Sequence, residues 1–231
     1  MNTTFIEIIR SLPEDKKAAD GIWTKLVLRP LSYPITWILL RLNVSANFVS
    51  YTSILFSISG AMLFSTFHPT YSLIGALLLN FYAILDCVDG NIARVTRTSN
   101  PFGGWADAIM GHISLTATIF GLGIYSYFST HNWIMLLLAG LTASSNLLMR
   151  TAYQAYKNII PESAKKTVSL EMMIAETFGV TGLLMPALLI MLFTGGIEYL
   201  LFFNGLLYIG GCIVTIIKIA IKGQKTIIHN K

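Results

Sequence analysis

An all-α, polytopic membrane fold, with six transmembrane helices preceded by interfacial amphipathic helices, is what three observations on this sequence predict. The 231 residues are 54% hydrophobic and only 12% charged, with a mean hydropathy of +0.65. That is too apolar for an ordinary water-soluble domain, so lipid must serve as the solvent. The apolar residues gather into six stretches near the roughly 20 residues that a helix needs to cross a bilayer. The basic residues gather on one side of those stretches, which sets an orientation as well as a fold.

In chain order, residues 1–47 are expected to form a cytoplasmic N-terminal segment. The first twenty carry Glu7, Arg10, Glu14, Asp15, Lys16, Lys17 and Asp20, which leaves no apolar core for a removable signal peptide. Residues 22–29 and 35–41 mix Trp and Leu with spaced cations and are broken by Pro30 and Pro34. Such segments suit helices lying along the membrane interface, either capping the bundle or guiding a lipid substrate. The six spans are expected at 48–67, 71–93, 104–128, 133–153, 178–197 and 199–217. They form one domain, 48–217, without internal repeats, and a basic cytoplasmic tail, 218–231, ends the chain.

The turns after the first, third and fifth spans carry no Lys or Arg. Arg10, Lys16, Lys17, Lys25, Arg29 and Arg41 precede the first span, Arg94 and Arg97 follow the second, and Arg150, Lys157, Lys165 and Lys166 follow the fourth. Lys218, Lys222, Lys225 and Lys231 end the chain. The positive-inside rule puts that side, with both termini, in the cytoplasm, and the cell (inner) membrane is the expected location. The net charge of +5 is scattered between apolar stretches. No basic stripe suits nucleic acid, so anionic headgroups and phosphates are the expected partners. Cys87 and Cys212 fall within spans and read as packing residues.

Ionisable groups inside a span are costly and tend to face a cavity or a partner. Asp86 and Asp89 are three residues apart, on one face of the second span near its cytoplasmic end. Asp107 lies early in the third span. Three carboxylates from two adjacent helices form a hard-oxygen set of the kind that suits Mg²⁺ or Mn²⁺ and, through it, phosphate. Gly90, Ala93 and Gly103 leave room for a ligand or a close helix, and Arg94 offers a forked donor to phosphate.

The stretch Asp86-Cys87-Val88-Asp89-Gly90-Asn91-Ile92-Ala93-Arg94, eight further residues, and then Gly103 to Gly111 resembles the signature of the CDP-alcohol phosphatidyltransferases, D-x-x-D-G-x-x-A-R, eight residues, G-x-x-x-D-x-x-x-D. Seven of its eight fixed positions match. The segment 45–50 is similar to a degraded form of the family's P-N-x-x-T approach to the first span, although Asn47 would equally serve as a helix cap there. Residues 17–21, with Arg29, Ser32 and Thr36, look similar to members that use soluble CDP-polyol donors.

The resemblance implies a membrane transferase. It would move a phospho-alcohol or phosphatidyl group from a CDP-alcohol or CDP-diacylglycerol to an acceptor, releasing CMP, in phospholipid, polar-lipid or surface-polymer synthesis. By the same resemblance Asp86, Asp89 and Asp107 are metal ligands for Mg²⁺ or Mn²⁺, with Asp107 also catalytic. Asn47, Ser50, Gly90, Ala93, Arg94, Asn100 and Gly103 would lie near the nucleotide, and the chain would form a homodimer. Apart from the resemblance, Arg150 at the end of the fourth span, with Lys157, Lys165 and Lys166, is either a second anion contact for a phosphate group or a positive-inside anchor.

Gly111 stands where the family carries its last Asp, a metal ligand and general base. Three readings stay open: another base, an acceptor that is already anionic, or a binder that has lost normal turnover. His112 is the nearest titratable candidate, as substitute base or as a structural histidine, although it is about 100° round the helix from position 111. Glu171 and Glu176 are further candidates, or simply acids at a helix start.

Overall fold

The structure, a computed structural model, describes residues 4–159 and 177–229. Helix α1 (Phe5–Arg10) begins at a reciprocal cap: the Glu7 N–H donates to Thr4 Oγ1 (3.3 Å) and the Thr4 N–H to Glu7 Oε2 (2.8 Å). Helix α2 (Glu14–Ala19) follows. A π-helical turn (Thr24–Leu28) then runs directly into α3 (Arg29–Arg41). The break expected at Pro30 and Pro34 does not occur. Pro30 falls in the first turn, where proline is tolerated. Pro34 lies on the exposed side, while Arg29, Ser32, Thr36 and Leu40, at helical spacing, are buried against the bundle and hold the helix through it.

Helix α3 ends with Asn43 in the left-handed region (φ 55°), from which the Val44 N–H reaches back to the Leu39 carbonyl (3.0 Å). Asparagine tolerates that conformation, so the chain can turn sharply into the next helix. There follow α4 (Ala46–Phe64), α5 (Pro69–Val95), α6 (Pro101–Thr130), α7 (Ile134–Ile159), α8 (Leu184–Thr194) and α9 (Ile197–His229). All described secondary structure is helical, as expected. Helices α4, α5, α6, α7 and α9 are long and apolar enough to cross a membrane.

The fifth expected span, 178–197, is different. Only Leu184–Thr194, 11 residues, forms its helix, too few to cross alone. Residues 178–183, with Gly179 and Gly182 among them, are irregular. Non-helical backbone at membrane depth survives only where protein buries it or it lines a cavity, and these residues do line one.

Helix α5 sits at the centre: 56% of its apolar window is buried, against 33–39% in the other four spanning helices. Its contact with α4 is set by two glycines. A Cβ on Gly75 would lie 2.3 Å from the Phe64 backbone nitrogen, and one on Gly60 would lie 3.0 Å from the Gly75 carbonyl oxygen. Without a hydrophobic drive between helices in lipid, such close backbone approach supplies the packing. At its other end α5 stops at Thr96. Arg97 takes the left-handed conformation (φ 56°), and the Thr98 N–H returns to the Ala93 carbonyl (2.9 Å). Asn100 then caps α6, its Oδ1 accepting the Gly103 N–H (2.8 Å). The second and third spans are thereby joined by a tight turn.

Candidate functional site

At this end of the bundle the helices enclose a cavity of about 780 Å³. Asp86 and Asp89 line it from one face of α5, and Asp107 lines it from the second turn of α6. Asp89 is buried, at 8% exposure, and Ser50 of α4 donates a 2.5 Å hydrogen bond to its Oδ2. A hydroxyl in that position fixes the carboxylate's orientation at the cavity wall. Among the described residues no three His, Cys, Asp or Glu side chains stand close enough together to hold a metal ion. The three carboxylates share a chamber without closing into a coordination shell. As a donor set they fit a hard divalent cation: carboxylate oxygens, one oriented by a hydroxyl, around one cavity.

The other residues singled out from the sequence line the same space: Asn47, Ser50, Gly90, Ala93, Arg94, Asn100, Gly103, His112 and Arg150. Three differ from expectation in detail. Asn47 does not cap α4; Ser45 does, accepting the Phe48 N–H at 3.3 Å, which leaves the Asn47 amide for the cavity. Asn100 spends its amide donor on the Thr98 carbonyl (3.0 Å) as well as its oxygen on the cap. His112, despite its offset from position 111, reaches the cavity, half-buried and within the field of Arg150. Gly111 also lines it, and a Cβ there would meet nothing within 4 Å, so a side chain at this position would enter open space.

Arg94 and Arg150 bring positive charge to the chamber, and each keeps a buried Nε without a hydrogen-bond partner. Guanidinium donors left unmet beside a cavity suit an anionic ligand. Lys165, Lys166, Glu171 and Glu176 lie outside the described residues.

The sequence marked residues 17–21 and Arg29 only by their likeness to members that use soluble CDP-polyol donors, and it did not place the N-terminal segment as a wall of the cavity. Lys16, Asp20, Gly21, Thr24 and Arg29 line the cavity, and Tyr82, one turn below Asp86, forms part of its floor. Arg29 is buried at 6% exposure and forks onto Asp20 through Nε (2.9 Å) and Nη2 (3.1 Å). Burial alone would push its guanidinium below its ordinary value, but the Asp20 hydrogen bond, together with the charges of neighbouring groups, Asp20 among them, raises it. Thr24 donates to the Thr181 carbonyl at 2.7 Å, tying this wall to the irregular 178–183 segment. The available signal was the polar face of α3, with Arg29, Ser32 and Thr36 at helical spacing in a segment otherwise apolar.

Residues 43–217, about three quarters of the chain, match the family model described as CDP-alcohol phosphatidyltransferase. No curated protein matches the chain.

Proposed function

The chain belongs to the CDP-alcohol phosphatidyltransferase family, an integral membrane transferase family, and on that premise we propose which residues carry its chemistry. The family moves a phospho-alcohol from a CDP-alcohol in lipid synthesis and is generally dependent on divalent metal. In our reading the donor is a CDP-linked alcohol or CDP-diacylglycerol, bound in the 780 Å³ cavity. The observation that carries this is the coincidence, on one chamber, of Asp86, Asp89, Asp107, Gly90 and Arg94 from the two helices that bear the signature.

Asp86, Asp89 and Asp107 would hold Mg²⁺ or Mn²⁺, which when bound supplies neutralisation of the pyrophosphate and of the departing CMP. Ser50 keeps the Asp89 carboxylate turned toward that position. Arg94 offers its unmet guanidinium donors to phosphate oxygens, and Arg150 faces the chamber from α7 as a second anion contact. Little further protein chemistry is needed, because phosphoryl transfer rests on positioning and charge stabilisation. The acceptor's proton goes to His112, or the acceptor arrives already anionic and has none to give, since Gly111 has no side chain to take one.

In this reading the cavity and both termini lie on the cytoplasmic side of the cell membrane, within reach of the soluble nucleotide pool, and the one-sided distribution of basic residues supports it. Residues 48–217 are the catalytic unit in this reading, 1–47 an interfacial segment that adds a wall to it, and 218–231 a basic tail. The working form is a homodimer.

Purified protein in lipid, given a panel of CDP-alcohols and lipid acceptors, is expected to release CMP in the presence of Mg²⁺ or Mn²⁺ and to stop on addition of excess chelator. Release undiminished by chelator, or by Asp89→Asn, would remove the three aspartates from the role given to them here.

A further inference from the structure

Asn91 occupies one of the variable positions between Gly90 and Arg94, so the family pattern assigns it nothing. In the structure it is fully buried and holds three neighbours at once. Its Oδ1 accepts from Arg94 Nη2 at 2.6 Å, and its Nδ2 donates to Ser32 Oγ (3.0 Å) and Thr36 Oγ1 (3.2 Å). Those two hydroxyls, also fully buried, are themselves anchored: Ser32 donates to the Arg29 carbonyl (2.8 Å) and Thr36 to the Ser32 carbonyl (2.8 Å). Both sit on α3, outside the residues that match the family.

The orientation of each group follows from its neighbours. The hydroxyls spend their protons on α3 carbonyls, so their oxygens are acceptors toward Asn91 and fix which end of its amide faces them. The amide oxygen is then turned toward Arg94. On the other side of the guanidinium stands Gly90, whose missing Cβ would lie 3.1 Å from Arg94 Nη1. One guanidinium nitrogen is tethered, another lies over a glycine, and Nε is left buried without a partner beside the cavity. A flexible side chain is thus held in one pose with donors to spare, which lowers the ordering cost of receiving an anion.

We propose that Asn91, held by Ser32 and Thr36 of the N-terminal segment, is a positioning residue that fixes the Arg94 guanidinium to receive the pyrophosphate of the nucleotide donor. This rests on the functional reading above. It makes α3 part of the binding apparatus: the interfacial segment sets the pose of an arginine that belongs to the matched core.

The test is calorimetric titration of the full-length protein in lipid nanodiscs with CDP and Mg²⁺, on the unsubstituted chain, Asn91→Ala, Arg94→Ala and the double variant. Asn91→Ala is expected to weaken CDP binding by about 10- to 100-fold, the range for a lost hydrogen bond to a charged group. In the Arg94→Ala background the same change should add almost nothing, because Asn91 acts through Arg94. A purely structural Asn91 would give equal losses in both backgrounds, and that result overturns the inference, as does unchanged binding by a folded Asn91→Ala. Should Asn91→Ala not fold, the Ser32→Ala, Thr36→Ala pair is run through the same cycle, with Thr36→Ser expected to restore binding that Thr36→Ala loses. Failure of the unsubstituted chain to bind CDP overturns the functional reading, and this inference with it. Binding with additive losses overturns the positioning role alone.

Discussion

Position 111 is where a single side chain decides most. A Cβ there meets open space, so Gly111→Asp should fold and put a carboxylate into the cavity one turn beyond Asp107. It is expected to tighten Mg²⁺ binding and, if proton removal limits the reaction, to raise single-turnover CMP release by up to the roughly 10² to 10⁴ that a general base contributes. His112→Ala should in that case lower CMP release far more than it lowers CDP binding. If neither substitution changes CMP release, then no group at these two positions moves the acceptor's proton. The acids and Arg94 were legible in the sequence because charge within an apolar span is itself a signal, and Gly90 because it is a fixed position of the same motif. Asn91 was not, and Asp20, Ser32 and Thr36 drew notice only by resemblance, because small polar residues and an acid in an interfacial segment reveal no role until the fold shows what they meet.

Among elements, the α4–α5 contact has the least freedom. The Cβ of any residue at 75 would fall 2.3 Å from the Phe64 nitrogen and 2.5 Å from the Gly60 carbonyl oxygen, both backbone atoms that cannot swing aside. Gly75→Leu should therefore force the helices apart and cost about 1–3 kcal/mol or more, the range for overpacking. The readout is a lower thermal midpoint in detergent, with a loss of CDP binding, since Ser50 on α4 orients Asp89 on α5. An unchanged midpoint would mean that α4 and α5 are not in backbone contact. Hydropathy located four of the spanning helices to within a few residues at most ends, and it found the last, Ile197–His229, but stopped short of its C-terminal extension. It misjudged the fifth segment because apolar composition at 178–183 reads as helix, whereas two glycines and a neighbouring cavity permit irregular backbone. It also took Pro34 for a break, when the buried face of α3 outweighs one missing hydrogen bond.

For the molecule as a whole, the orientation in the bilayer is the first thing to measure. Thr98 and Thr130 are exposed near opposite ends of α6, and the native Cys87 and Cys212 are buried. A cysteine introduced at Thr130 is expected to react with an impermeant thiol reagent in intact cells, and one at Thr98 only after permeabilisation. Reversed labelling would move the cavity to the other side of the membrane, away from cytoplasmic nucleotides. Topology also bears on how the protein comes to be made. The Thr24 hydroxyl bonds to a carbonyl 157 residues later in the chain. At the usual synthesis rate of about 5–20 residues per second, the N-terminal segment waits roughly 8–30 s for that partner to emerge from the ribosome. Through that interval the first four spans can be inserted and packed while the chamber stays open along one side, so competence to bind a nucleotide arrives with the last third of translation rather than the first.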